Sequence, residues 1–560
     1  MEVVDVAALA PRAQASIARP VVASYLVIAA LAVLLPLPIL LLDGWNVSHD
    51  WVATFERIEG LRRAFVQGYW YPLWTPFCHY GFGSPLPLFY PRLYSSLAAL
   101  LSQASGSVIW SVKAMTVLLL FTGGAGSRHL FRSTGASEGL ALTGAVLFMV
   151  APYTLTDWFT RGSMAEFTAM MLLPLNYAEM FSFLRGERHW VRFALVLTLL
   201  FHGHPMICYF FLLSAVLFFG VSVAGPWRRQ AWAGVTRDWP YVLAAFAILS
   251  LGVLAHVLVA TPMLKYFNIE ELRKSLWWVE NNYRPLRDYL VDTRPVEAIW
   301  MMVPSVEVNR YLLGALLILH LLPGAGARWR QVSRDPLYGY FLGWSAICFL
   351  LQIRFLAFIF HALPQGDLID FPWRLVSFMT IGLIFLVIRV ARPVLETTGR
   401  TRMAGLTVLA GATVASVATF GSGPIIYANP MMADDINYRV HDLDGPIQMG
   451  EFLLKGGGWP PERGPFVTPV ACSPKISISE TFEEGELRMT ADSDVPCRVI
   501  LRQYQTPLVA VTLENARLLS QSPAPEYSIE LQPGHSSVRL RPRHFWEVLR
   551  RNLTRASPDA

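Results

Sequence analysis

The chain has 560 residues, of which 54% are hydrophobic and only 15% charged, where a soluble domain carries about 25% charge. That deficit excludes an ordinary soluble enzyme. The net charge of +6 does not call for nucleic acid either, because the surplus Arg residues sit in short connectors between apolar runs.

Taken in chain order, the first apolar run covers 21–42 without a charge, and about 20 such residues cross a bilayer. No small-residue cleavage site follows it, so it reads as a retained span rather than a signal peptide. Further candidate spans cover 109–126, 139–153, 164–184, 190–201, 204–224, 240–263, 311–322, 337–353, 372–390 and 403–420. The expected fold is a polytopic α-helical membrane protein of about eleven spans, followed by a C-terminal β-rich extracytoplasmic domain. Its domains are 1–420, with a first extracytoplasmic loop at 43–107, and 421–560.

Arg-bearing connectors recur at Arg12/Arg19, Arg128/Arg132, Arg185/Arg188/Arg192, Arg228/Arg229/Arg237, Arg328/Arg330/Arg334 and Arg392/Arg400/Arg402. Short basic loops stay in the cytoplasm. All of them fall on that side only if the apolar stretch 85–101 does not fully cross. The expected location is therefore an inner (plasma) membrane, with the N-terminus cytoplasmic and the C-terminal domain extracytoplasmic or periplasmic.

The first loop opens with Ser48-His-Asp-Trp. Trp51, Phe55, Ile58 and Phe65 then recur at helical spacing, with Glu56, Glu59, Arg62 and Arg63 on the other side. This predicts an amphipathic helix on the membrane surface, capped by Ser48 or Asp50. After residue 421, alternating strings such as Lys475-Ile-Ser-Ile-Ser, Arg498-Val-Ile-Leu-Arg, Leu508-Val-Ala-Val-Thr and Ser537-Val-Arg-Leu-Arg predict a small β-sandwich. A short basic helix is expected at 545–553. Of five cysteines, Cys208 and Cys348 fall in spans, Cys78 in the first loop, and Cys472 with Cys497 in the outer domain. An oxidising compartment permits that last pair to bridge.

An acidic residue shortly after the first span, at the start of an interfacial helix, resembles the GT-C integral-membrane glycosyltransferases that use polyprenyl-phosphate sugars. More narrowly, the chain is similar to the bacterial membrane proteins named "6-pyruvoyl-tetrahydropterin synthase related". Arg161-Gly-Ser-Met-Ala-Glu-Phe, Leu172-Leu-Pro-Leu, Phe371-Pro-Trp-Arg, Gly450-Glu-Phe-Leu and Leu531-Gln-Pro-Gly-His carry the resemblance across most of the chain. One departure is Thr54, where the family often has a His; that role is absent or has moved to His49.

The resemblance implies transfer of a sugar from a polyprenyl-phosphate donor to a glycan, lipid or protein acceptor of the envelope. Such chemistry needs a base for the acceptor hydroxyl and cations for the departing phosphate. Asp50 is the expected base, with partial desolvation raising its pKa; Asp43 is the runner-up. Arg161 and Arg374 are the expected phosphate ligands. Glu166, inside a span, is either functional or paired with Arg161. His202 and His204 flank a turn and could bind phosphate or metal, and Arg57 and Tyr90 complete the substrate-binding set. No nucleotide-binding glycine loop occurs. No motif supports a divalent metal; the nearest acidic pairs, Asp434-Asp435 and Asp442-Leu-Asp444, read as solvated turns. The alternatives are a transporter or flippase of lipid-linked glycans, which lacks the repeated halves it should show, and a non-catalytic envelope scaffold.

Overall fold

The computed structural model describes residues 10–76, 78, 82–182, 189–224, 236–269, 279–291, 305–364, 366, 369, 371–426, 430–432, 465–483, 486–519 and 526–554. The acidic pairs at 434–435 and 442–444 and the Gly450 segment lie outside the described residues.

Among the described residues, four helices are long and apolar enough to cross a bilayer: Val108–Ser133, Trp239–Tyr266, Pro372–Leu395 and Gly399–Gly421. Three further apolar helix pairs are sharply bent: Glu138–Met149 with Pro152–Arg161, Arg310–Leu321 with Gly326–Ser333, and Pro336–Leu350 with Arg354–Ala362. Pro20–Leu34, Trp190–Gly203 and Pro205–Gly220 are shorter apolar helices. Met164–Ser182 carries Glu166 and Glu179 and is buried along nearly its whole length. The stretch 85–101 is not one helix. It forms Leu86–Phe89, breaks at Tyr90-Pro91-Arg92, and resumes as Leu93–Ser105. The second piece has 13 residues and reaches about 20 Å at 1.5 Å per residue, short of a bilayer core of about 30 Å.

Polar side chains start the helices where they leave the bundle. Ser107 accepts from the Trp110 amide, Ser137 from Leu140, Asp335 from Leu337, and Asn309 from Tyr311 and Leu312. Each satisfies amides that the first helical turn leaves open. Close packing then depends on small residues. A Cβ on Gly123 would stand 2.3 Å from the Met171 sulfur, and one on Gly124 would stand 2.7 Å from Ile28. Pro372–Leu395 is the central element, with 94% of its apolar stretch buried.

Two ends of the bundle are defined by contacts. At one end, Arg128 grips Glu138 at 2.6 and 2.8 Å. Arg389 reaches both the Thr134 carbonyl at 2.7 Å and Asp335 at 2.6 Å. Three of the basic connectors therefore share a side. At the other end, the first loop joins the bundle. β1 (Gly44–Asn46) pairs antiparallel with β2 (Pro430–Met432), and Asn46 Nδ2 donates to the Phe159 carbonyl at 2.7 Å.

The helix Trp51–Val66 forms as its periodicity predicts and buries Trp51, Phe55, Ile58 and Phe65. Its opposite face is not solvated as expected. Arg57 and Glu59 are buried too, and Glu59 is clasped by Arg62 at 2.5 Å and Arg63 at 3.1 Å. The protein wraps this helix because the 86–105 segment folds back over it, so it is embedded rather than adsorbed.

The C-terminal part holds two four-stranded sheets, in the orders β4-β5-β10-β7 and β3-β6-β9-β8. The strands are β3 (Val467–Ala471), β4 (Ser477–Glu483), β5 (Glu486–Ser493), β6 (Cys497–Tyr504), β7 (Val509–Glu514), β8 (Ala516–Leu518), β9 (Glu526–Leu531) and β10 (Gly534–Pro542). Two of the four strings singled out above lie within strands, β6 and β10, and the other two run into β4 and β7. Inward residues from both sheets, including Met489, Val538, Val499 and Ile529, share one core with Leu73, Trp74 and Phe82 of the first loop and with Val259 and Met263 of a span. Cys472 and Cys497 are bonded. The expected terminal helix is present at Phe545–Thr554.

Candidate functional site

The site begins where the helix Glu138–Met149 bends by 47° into Pro152–Arg161. The chain there winds into a π-helical turn, Thr156–Arg161, closed by Gly162 at φ 64°. Such turns displace the backbone ladder and recur at functional sites. Gly162 is required twice over. A side chain disfavours that backbone conformation, and a Cβ would stand 2.2 Å from Ser48 Oγ. The close approach lets the first loop dock on the turn. The His49 amide donates to the Thr160 carbonyl at 3.2 Å and the Asp50 amide to the Arg161 carbonyl at 2.7 Å. Thr54 Oγ1 donates to the Gly162 carbonyl at 3.3 Å.

Asp50 occupies the position before the first turn of Trp51–Val66, yet its carboxylate makes no capping hydrogen bond. It meets the His49 Nδ1 at 2.8 Å and keeps 26% of its side chain exposed. Burial works against the ionised form. The His49 hydrogen bond and the charges of Arg161 and Arg57 outweigh it and hold the Asp50 carboxyl below the usual range. The expectation that desolvation raises this pKa is thus corrected: the His49 hydrogen bond, helped by the charges of Arg161 and Arg57, outweighs it. His49 in turn is pushed up, chiefly by its hydrogen bond to Asp50.

Behind Asp50 lies a buried ion cluster. Glu166 is fully buried and accepts from Tyr153 at 2.6 Å, Arg161 at 2.8 Å and Arg374 at 2.9 Å. Arg161 also reaches Asp157 at 3.1 Å. The second Asp157 oxygen has no hydrogen-bond partner among the described residues. Arg374 is aimed by its own motif: Gln352 Nε2 holds the Pro372 carbonyl at 2.9 Å, and Arg374 lies over the Phe371 ring, 4.8 Å from its centroid. Glu166 is therefore paired, and with two arginines rather than Arg161 alone.

In front of the cluster, the Arg57 guanidinium stacks on the Tyr90 ring at 3.4 Å. The charges of Arg57, Asp50, Arg374 and Arg161 all reach the Tyr90 hydroxyl. Asp50, Arg57, Tyr90, Arg161, Glu166 and Arg374, drawn from four separate stretches of sequence, are thus brought together. Beside them opens a pocket with about 360 Å³ of empty space, mouth included, lined by Glu56, Arg57, Leu61, Leu86, Tyr90 and Arg92 among others.

Three expected residues are placed otherwise. Asp43 is exposed and lies within electrostatic reach of Lys113; the β1 strand carries the chain away from it before Asp50, so it does not join the site. His202 and His204 part company, because His204 ends the helix Trp190–Gly203. His204 is buried within electrostatic reach of Glu166. His202 bonds the Gly252 carbonyl at 2.8 Å and packs against Tyr71 and His256. No group of three or more His, Cys, Asp or Glu that could hold a metal ion occurs among the described residues.

Sequence reasoning missed Tyr153, Asp157, Glu56 and Arg92 as site residues. Asp157 had a usable signal, since it stands one helical turn before Arg161. Glu56 and Arg92 had none, because only the fold-back at Tyr90-Pro91 brings them to one pocket.

This combination defines a helical membrane protein with a strand-rich C-terminal part and a charged, partly buried site at one end of its bundle. No family model matches the chain, and no curated protein matches it. Among solved structures it is similar to the arabinofuranosyltransferase AftD from Mycobacteria, with 17% identity and a TM-score of 0.44, over 72% of this chain and 27% of that one. A mutant of the same enzyme gives 16% identity and 0.44, over 75% and 30%. The matched part spans less than a third of the length of those proteins.

Proposed function

We propose that this chain is a membrane glycosyltransferase that moves a sugar from a polyprenyl-phosphate donor to a glycan, lipid or protein acceptor, on the extracytoplasmic face that carries Asp50. The observation that carries this reading is the Asp50 carboxylate. It makes no capping bond, is partly exposed, and lies within reach of guanidinium groups from the interfacial helix and the Arg-Gly segment.

The chemistry follows from these placements. Asp50 is ionised at neutral pH and accepts the proton of the acceptor hydroxyl as that oxygen attacks the anomeric carbon. The bond from the anomeric carbon to the phosphate oxygen breaks, and the lipid phosphate departs with the electron pair. A carboxylate with a depressed pKa is a weak base. That suffices if cleavage of the phosphate bond runs ahead of proton removal, as in oxocarbenium-like glycosyl transfer. Arg57 meets the developing phosphate charge, with Arg161 and Arg374 adding positive potential from behind. Glu166 and Asp157 keep those two arginines in place rather than reacting.

The test is Asp50→Asn in purified full-length protein in liposomes, given polyprenyl-phosphate sugars and envelope acceptors. A loss of transfer of at least about a hundredfold is expected from removing a general base. Full activity in that variant overturns the mechanism.

A further inference from the structure

The Glu56 carboxylate takes no part in the ion cluster. It forms no hydrogen bond or ion pair among the described residues, although it lines the pocket beside Asp50. The same pocket is lined by Arg92, which is 6% exposed. Its guanidinium lies over the Tyr71 ring at 3.4 Å, one nitrogen donates to the Pro72 carbonyl at 3.5 Å, and its Nη1 has no partner among the described residues. A buried donor without a partner is costly and calls for an acceptor. One face of the Tyr90 ring is covered by Arg57, which leaves less aromatic surface in the pocket for a sugar ring. An anionic oxygen ligand suits the pocket better.

We propose that Glu56 is the acid partner of Asp50: it hydrogen-bonds the departing phosphate and hands over its proton, in the pocket it shares with Arg57, Tyr90 and Arg92. This rests on the glycosyltransferase reading and deepens it. As the glycosyl bond breaks, the phosphate diester becomes a monoester and gains a second charge. The Glu56 proton passes to one of its non-bridging oxygens, while Asp50 holds the proton taken from the acceptor. Product leaves as the monoanion, and transfer of the Asp50 proton to Glu56 through pocket water restores both groups. Two carboxyls whose surroundings drive their pKa values apart are the usual mark of such a division of labour. Asp50 is held low, whereas burial pushes Glu56 up to about 7 against the opposing charge of Arg57. The second pKa of a phosphate ester is about 6, close enough for the proton to be shared. Among the described residues, the titratable and charged groups that line the pocket with Glu56 are Arg57 on its own helix, Tyr90 and Arg92 on the fold-back, and the Cys78 thiol.

The experiment uses full-length protein and a prenyl methyl phosphate diester, whose single charge does not change near neutrality. In the wild type, binding is expected to weaken as pH rises past about 7, approaching about tenfold per pH unit. In Glu56→Gln that dependence disappears. Transfer by Glu56→Gln is expected to fall about a hundredfold while its unfolding temperature does not drop. Binding that is absent, independent of pH in the wild type, or equally pH-dependent in Glu56→Gln overturns the proposal, as does undiminished transfer by that variant. The two readings separate cleanly. An active Asp50→Asn sinks the reaction mechanism, whereas an inactive Asp50→Asn beside an unaffected Glu56→Gln sinks only the acid partner.

Discussion

Glu166 and Arg374, 208 residues apart in the chain, meet at 2.9 Å. Arg161 completes the arrangement from the other side at 2.8 Å. The pair thus locks the Arg-Gly segment to the Phe-Pro-Trp-Arg segment, and the first loop rests on the result.

The first prediction concerns this lock. Glu166→Gln leaves two guanidinium groups short of a buried anion. Removing one member of a buried pair costs about 3–5 kcal/mol. The unfolding temperature in detergent is expected to fall by several degrees, together with transfer activity. A variant as stable as the parent would mean that water, not Glu166, neutralises the arginines.

A second prediction concerns the docking of the first loop. Gly162→Ala combines a left-handed backbone with a collision at Ser48 Oγ. The backbone alone costs about 1–2 kcal/mol. Replacing Ser48 by glycine in the same chain should recover the steric part and leave the backbone part. Thermal unfolding of the single and double variants separates the two.

Third, stability should respond to Glu56 in a defined direction. Its folded pKa is raised from 4.5 to about 7, so between those values the native chain binds more protons than the unfolded one. Stability therefore falls as pH rises through that window. Glu56→Gln is expected to match the wild type below about pH 4 and to exceed it above about pH 7. Asp50 has the opposite sign: its folded pKa is depressed below 3.8. Its contribution is present at neutral pH and is lost as pH falls from that value toward the lower folded one. Unfolding temperatures measured across pH for both variants decide the matter.

The fourth prediction is topological. Connectors carrying Thr134 and Asp335 are tied together by Arg389, at the end of the bundle opposite His49. Single cysteines at Thr134 and at His49 should react with an impermeant maleimide from opposite sides of sealed vesicles. Labelling of both from one side would break the assignment of the two ends.

Finally, the bond between Cys472 and Cys497 closes a loop of sequence separation 25. By loop entropy it contributes about 3 kcal/mol to the strand-rich part. Reduction should increase proteolysis between β3 and β6 while sparing the helical bundle.

The linear sequence determined the helical membrane class, the extent of the interfacial helix and four of the strands, because apolar length and periodicity are local properties. It also marked Asp50, Arg57, Arg161, Glu166 and Arg374 for attention, since charges at the ends of apolar runs stand out. What only the tertiary structure decided is how charge is distributed among them. The tertiary structure committed Glu166 to Arg374, let the His49 hydrogen bond and the charges of Arg161 and Arg57 lower Asp50 where desolvation alone would raise it, separated His202 from His204 at a helix end, and left Asp43 outside. The fold-back at Tyr90-Pro91 brought Glu56 and Arg92 to one pocket. Electrostatic energies depend on distance and burial, and neither is written in the order of residues along the chain.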